Sequence, residues 1–129
     1  MTITVITIGL LIFIGLIFWT QSKRSKINPA TQQKFQKHWH AILKSDPKTA
    51  ILDADKLLDQ ALKLKGYTGT LGEKMKKAGQ LFSDRNGIWS AHKLRNRIAH
   101  ELDVKVSEKE TRTALTQFKK ALRDLGIKL

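Results

Sequence analysis

The sequence predicts an all-α protein, an up-and-down helical bundle of about five helices that follows one N-terminal transmembrane helix. Two observations lead to this fold class. An uncharged apolar run lies near the N-terminus, and from Ala30 onward apolar residues recur at the three- and four-residue spacing of amphipathic helices. No run of alternating β-branched residues is long enough to predict a strand, and the short connections between helices favour a bundle.

The run from Thr2 to Trp19 is predicted to be a retained membrane anchor. It carries no charge, and a helix of this length spans about 27 Å, close to the thickness of a hydrocarbon core. A cleaved signal peptide is the alternative, but no Lys or Arg precedes the run and no small-residue cleavage pattern follows it. Trp19 suits the membrane boundary.

The positive residues after the run predict its orientation. Lys23, Arg24 and Lys26 follow it directly, so the positive-inside rule places the N-terminus outside and the remainder in the cytoplasm. We therefore expect a single-pass protein of the cell membrane with three parts: an anchor at 1–20, a basic juxtamembrane linker at 21–29 and a cytoplasmic helical domain at 30–129.

The predicted domain contains five helices. They cover about Thr31–Lys44, Pro47–Lys65, Thr70–Phe82, Ile88–Leu102 and Ser107–Leu125. Phe35 and Trp39 belong to the apolar stripe of the first helix. Asp46 is a good N-cap for the second helix, and Pro47 suits its first turn. Gly66 ends this helix.

The last three helices have equally local signals. Thr70 with Glu73, and Ser107 with Glu110, have the spacing of capping boxes. The stretch Ser83–Gly87, SDRNG, is the clearest loop in the chain. Gly126 is the expected stop of the last helix.

Composition limits the chemistry. The chain has no cysteine, which excludes disulfides, thiolate metal sites and cysteine nucleophiles and is typical of a reducing cytoplasm. The formal net charge is +13, and most of it lies in the predicted domain. Such a domain is expected to bind a polyanion, which means RNA, DNA or an anionic membrane surface.

The most informative motif is Arg95-Asn96-Arg97-Ile98-Ala99-His100 on the predicted fourth helix. Arg can bind a phosphate with two parallel hydrogen bonds, and His exchanges protons near neutral pH. On a helical wheel Asn96 and His100 share a polar face with His92, whereas Arg95 lies about 140° from His100. This separation favours a composite site that a second copy completes in a homodimer.

The segment Leu94–Glu101, LRNRIAHE, resembles the signature of the HEPN superfamily, a group of small all-α domains that includes ribonucleases. Arg95, Asn96 and His100 match the family's motif, and the similarity covers roughly Ala30–Gly126. The resemblance implies an RNA-binding homodimer that needs no metal or cofactor. It also implies RNA cleavage, in which the 2′-OH attacks the adjacent phosphate and leaves a 2′,3′-cyclic phosphate. His100 would be the general acid or base, Arg95 would stabilise transition-state charge and Asn96 would orient them.

Other polar and aromatic residues are interpreted from their helix positions. His92, Lys93 and Arg97 are expected to contact RNA. Trp89 is expected in the core, at a dimer contact or under a stacked base. Lys74, Lys76 and Lys77 are predicted to be a solvated face. No metal site is expected at His38 and His40, because residues two apart point to different sides of a helix.

Two other functions remain open at this stage. The domain could be a non-catalytic adaptor, tethered to the membrane, for a protein partner such as an antitoxin, for a nucleotide or for nucleic acid. Alternatively, it could be a membrane-associated helical protein whose basic charge serves the anionic lipid surface.

Overall fold

The computed structural model of the protein describes residues 1–18 and 26–129 with their side chains. The described chain is all-helical and contains no strand, which confirms the predicted helical bundle. The helices are α1 (Thr2–Ser25), α2 (Pro29–Leu43), α3 (Pro47–Leu64), α4 (Leu71–Lys77), α5 (Arg85–His100) and α6 (Glu108–Asp124). A short 3₁₀ turn, Gly79–Leu81, links α4 to the α5 region.

Within the described residues, no helix combines the length and the apolar character needed to cross a membrane. The predicted anchor at 1–20 therefore has no support within the described residues. Trp19, Lys23 and Arg24, on which the predicted membrane boundary and orientation depend, lie outside the described residues.

Side-chain caps explain where the helices of the domain begin. Asn28 accepts a hydrogen bond from the Thr31 amide at 2.8 Å, and Asp46 accepts one from the Thr49 amide at 3.1 Å. These bonds satisfy amides that have no partner inside the helix. The side-chain and backbone hydrogen bonds from Thr49 also lower the pKa of Asp46, because they favour the carboxylate.

Of the two predicted capping boxes, one is complete. Ser107 accepts from the Glu110 amide at 3.1 Å, and the Glu110 carboxylate accepts from the Ser107 amide at 3.0 Å. At α4, Thr70 caps the Glu73 amide at 3.2 Å, but its hydroxyl donates to the Glu73 carboxylate, so the reciprocal backbone bond is missing.

Two predicted helix boundaries were wrong. The fourth domain helix begins at Arg85 instead of Ile88, because the Asp84 carboxylate caps the Gly87 amide at 2.9 Å and draws most of the expected loop into the first turn. The third ends at Lys77 instead of Phe82, and the chain continues as the 3₁₀ turn.

The centre of the bundle is α3, which packs against α2, α4, α5 and α6. Ile51, Leu58 and Leu62 of α3 have no measurable exposure, and Phe118 and Leu122 of α6 meet them in the core. Each such side chain contributes roughly 1.5–3 kcal/mol when it leaves water. This packing sets which face of α3 carries the candidate site.

The segment after α6 is tied back to α2. Gly126 has φ 94°, a left-handed conformation that favours glycine, and it turns the chain so that Ile127 becomes buried. The Gln32 side chain donates to the Gly126 carbonyl at 2.6 Å and accepts from the Lys128 amide at 2.8 Å. Gln36 donates to the Lys128 carbonyl at 2.8 Å.

Candidate functional site

The helix α5 places His92, Arg95 and Asn96 against α3. Ile88 and Ala91 are buried in the core, and Leu94 and Ile98 are half-buried against it. This orientation follows from their spacing, which keeps apolar residues on one side of the helix. The polar residues one step round the helix are thereby placed at the junction of α3 and α5.

Four polar side chains form a closed ring at this junction, which we call the Asp55 ring. His92 Nδ1 lies 2.9 Å from Asp55 Oδ1, and Asn96 Nδ2 lies 3.4 Å from His92 Nε2. Arg95 Nη1 donates to Asn96 Oδ1 at 3.0 Å, and Arg95 Nε lies 3.2 Å from Asp55 Oδ2. One carboxylate of α3 thus holds two side chains of α5.

The ring has a consistent set of proton positions. With a proton on Nδ1, His92 donates to Asp55 and offers Nε2 as an acceptor for the Asn96 amide group. Asn96 then presents its oxygen to Arg95. The ring is buried at Asp55, whose side chain is 3% exposed, and partly exposed at Arg95, whose side chain is 28% exposed.

The contact between Arg95 and Asp55 is an ion pair without a hydrogen bond. Arg95 Nε is buried and has no hydrogen-bond partner among the described residues, although Asp55 Oδ2 is only 3.2 Å away. The N–H therefore does not point at the oxygen, and the attraction between the two groups is electrostatic.

A second group of charges lies one turn further along α3. Lys74 of α4 is buried, and its Nζ lies 2.5 Å from Asp59 Oδ1. The exposed Lys63 lies 3.3 Å from the other oxygen. Burial raises the pKa of Asp59, but the hydrogen bonds and charges of Lys74 and Lys63 outweigh it, so the pKa lies below its ordinary value.

Both groups line one open cleft of about 670 Å³. Its walls are the polar face of α3, the segment 69–74 and the α5 residues His92 and Arg95. Four permanent cations line it, Lys56, Lys63, Lys74 and Arg95, against the two carboxylates of Asp55 and Asp59. A positive excess in a cleft with buried ionisable groups marks it as a candidate binding site for an anion.

The sequence-predicted residues divide into two groups in the structure. Arg95, Asn96 and His92 lie together in the Asp55 ring. His100 is the last residue of α5 and is exposed, and its side chain makes no hydrogen bond or ion pair within the described chain. It does not line the cleft.

The other predicted RNA contacts, Lys93 and Arg97, are exposed and lie outside the cleft. Arg97 is 3.7 Å from Glu101, a surface pair of little energetic value.

Two residues of the cleft were not anticipated. Asp55 lies among the apolar residues of α3, and a carboxylate on the buried side of a helix is itself a signal that a cationic partner packs there. Lys74 was expected on a solvated face, and this was wrong for that residue: it is 2% exposed because Asp59 supplies its counter-charge. Lys76 and Lys77 are exposed as expected.

The remaining aromatic and histidine residues are also placed. Trp89 is half-buried against the core, and its ring meets His92 edge-on with centroids 5.9 Å apart and planes at 78°. His38 and His40 are exposed on α2. The described residues contain no cluster of three His, Cys, Asp or Glu side chains able to hold a metal ion.

In comparisons with known proteins, no family model matches the chain, and neither the curated proteins nor the solved structures contain a significant match.

Proposed function

We propose that this protein is a membrane-anchored, HEPN-like domain that binds RNA and cleaves it as a homodimer without a metal. The observation that carries the proposal is the fixed position of Arg95 in an open, net-positive cleft. Its guanidinium is held by Asn96 and Asp55, so it is oriented before any ligand arrives. Such preorganisation is what a phosphate-binding arginine requires.

In the proposed reaction the RNA supplies its own nucleophile. The ribose 2′-OH attacks the adjacent phosphorus, the bond to the 5′-oxygen of the next nucleotide breaks, and the products are a 2′,3′-cyclic phosphate and a 5′-OH. Arg95 stabilises the charge that develops on the phosphate oxygens. Asn96 holds Arg95, and His100 moves the proton to or from the reacting oxygens.

A second copy of the chain would bring a His100 close to Arg95. Since His100 of one chain lies outside the cleft that holds its own Arg95, we propose that His100 of the partner chain approaches it. Leu102, just beyond α5, is 95% exposed, and Ile98 in the last turns of α5 is only half-buried. An apolar end of α5 suits a homodimer contact.

The membrane attachment is proposed for α1. From Ile3 to Phe18 its large apolar side chains are exposed on all sides of the helix, a pattern that is costly in water and favourable in lipid. Lys23, Arg24 and Lys26 follow this segment, and we propose that they face an anionic cytoplasmic surface with the domain on that side.

The test is RNA cleavage by the full chain in detergent micelles, with EDTA present. His100→Ala is expected to abolish release of cyclic-phosphate ends from single-stranded RNA, with unfolding unchanged because His100 has no partner in the described fold. His40→Ala, an exposed histidine of α2, is the matched control and is expected to retain activity. Cleavage by His100→Ala, or a requirement for a divalent metal, would contradict the mechanism.

The position of His100 also favours a second candidate, an RNA-binding or adaptor module that does not cleave. An exposed histidine without partners is not preorganised for proton transfer. This function predicts that the wild-type chain binds RNA with an affinity that falls steeply with salt, and that no cyclic-phosphate ends form at any protein concentration. Concentration-dependent cleavage that parallels dimer formation would exclude it.

A further inference from the structure

We propose that the outer face of α2 lies flat on an anionic lipid bilayer and that this contact orients the whole helical domain. The face consists of Lys37, His40, Ala41 and Lys44, which we call the α2 basic stripe. All four residues are exposed, and they line one open groove along the helix. The inference rests on the membrane attachment proposed above for α1, because that attachment brings α2 close to lipid.

The α2 basic stripe lies opposite the buried side of its helix. That side carries Phe35, Trp39 and Ile42, and at 100° per residue the stripe is centred about 180° from it. The helix is also bonded through Gln32 and Gln36 to the segment after α6. Because α2 is fixed to the bundle in this way, a surface that binds the stripe sets the orientation of the bundle as well.

The lysines of the stripe have no counter-charge on their own helix. The first acidic residue of the chain is Asp46, so α2 and the segment before it contain no carboxylate side chain. Lys37 and Lys44 make no ion pair and no side-chain hydrogen bond among the described residues. A lysine placed at an anionic leaflet strengthens association roughly fivefold, and these two ammonium groups are available for that contact.

The short connection to α1 favours a flat arrangement of α2. Helix α1 ends at Ser25 and α2 begins at Pro29, and an extended connection between these residues spans at most about 14 Å. The potential of an anionic leaflet falls off within a Debye length, about 8 Å. A helix of 15 residues is about 22 Å long, so an upright α2 would carry Lys44 out of reach of the leaflet. A flat α2 keeps Lys37 and Lys44 at the headgroups together.

An exposed leucine beside the stripe favours lipid over nucleic acid as the occupant. Leu43 is 56% exposed and lies three residues after His40, so the two side chains are neighbours on the helix surface. At a bilayer surface such a leucine enters the acyl boundary while lysines meet the headgroups, whereas a phosphate backbone offers it no apolar partner. The cleft that holds Arg95 contains no residue of α2, so a docked domain leaves that cleft uncovered for RNA.

The experiment measures how close α2 lies to the bilayer when the full chain is reconstituted into vesicles. The chain has no cysteine, so Ala41→Cys carries a single fluorophore at the stripe. Thr116→Cys, at an exposed position of α6, carries the control fluorophore. The vesicles contain phosphatidylcholine with or without phosphatidylserine, and a nitroxide on a lipid headgroup quenches a fluorophore that approaches it. We expect phosphatidylserine to increase quenching in Ala41→Cys and to leave Thr116→Cys unchanged.

Charge substitutions in the labelled Ala41→Cys chain test the stripe itself. Lys37→Gln combined with Lys44→Gln is expected to weaken docking roughly 25-fold, fivefold for each lysine, and to return quenching to its level without phosphatidylserine. Lys109→Gln combined with Lys120→Gln is the matched control, because it removes the same charge from exposed positions of α6. We expect this control to keep the quenching of the parent chain.

The outcomes separate this inference from the proposed function. Quenching that does not respond to phosphatidylserine, or that falls equally in the two double variants, overturns the inference even where the chain is inserted and cleaves RNA. Loss of quenching when single-stranded RNA is added also overturns it, because RNA is then the occupant of the stripe. Quenching that depends on Lys37 and Lys44, in a chain that alkaline carbonate extracts from the vesicles, supports the inference and contradicts the proposed anchor.

Discussion

Replacing Asp59 by Asn tests the buried ion pair that forms one side of the cleft. The substitution removes the negative charge beside Lys74, whose side chain is 3% exposed, and leaves an ammonium group with only an amide as its partner. Breaking a buried pair costs about 3–5 kcal/mol. We expect the free energy of unfolding to fall by about 3 kcal/mol, at the lower end of this range. The reason is that Asp59 is 26% exposed, so water screens part of the lost attraction.

The two partners of the pair are not equivalent. Lys74→Met leaves Asp59 with Lys63 and with solvent, so we expect a smaller loss of about 1 kcal/mol. The double variant Asp59→Asn, Lys74→Met contains no unpaired buried charge and is expected to unfold within about 1 kcal/mol of the wild type. Lys63→Met is the surface control, with an expected change below about 0.5 kcal/mol, since Lys63 is 62% exposed.

The assay is urea unfolding at pH 7, followed by tryptophan fluorescence, because Trp39 is 4% exposed in the core. It is repeated in 0.5 M salt, where screening weakens surface pairs more than buried ones. The reasoning is refuted if Asp59→Asn costs less than about 1 kcal/mol, or if the double variant is no more stable than Asp59→Asn alone.

Three further predictions follow from single features of the fold. Because the pKa of Asp59 is lower in the folded chain, its stabilisation is present above its ordinary pKa of 3.8 and is lost as the pH falls through the folded value. Below pH 3.8, the free energy of unfolding of Asp59→Asn should therefore depend less on pH than that of the wild type. An unchanged pH dependence would contradict this. Ser107→Ala removes the completed capping box and should cost about 1 kcal/mol in thermal unfolding, whereas exposed Thr116→Ala should change little. Phe118→Ala opens a cavity at a fully buried position and should cost about 3–5 kcal/mol in urea; a loss below 1 kcal/mol would place Phe118 outside the core.

The sequence predicts the helices of this domain well because their signals are local. The capping residues Asp46 and Ser107 form the expected bonds, and apolar spacing places Phe118 in the core. The boundary at Arg85 differs from the prediction because Asp84 is typical both of a loop and of an N-cap, and in the structure it is the N-cap. Local signals give the existence of an element more securely than its ends.

The candidate site was only half predictable, since its contacts join residues far apart in the chain. The helical wheel places Asn96 beside His92 and His100. It represents α5 alone, so it cannot show that Asp55 of α3 binds His92 and Arg95. Lys74 was assigned to the surface for the same reason: its partner, Asp59, lies on another helix. Tertiary pairing overrides the usual preference of a lysine for solvent.

The bonds between Gln32 and the segment after α6 have a consequence for biosynthesis. They join α2, the first helix of the bundle, to Gly126 and Lys128, so each end of the domain satisfies hydrogen-bonding groups of the other. A ribosome makes the α2 side long before the other partner exists. Until then the core lacks Ile127, which is 1% exposed in the finished fold. The apolar side chains that pack with it stay exposed during that interval, and a chaperone that recognises exposed apolar surface can bind them.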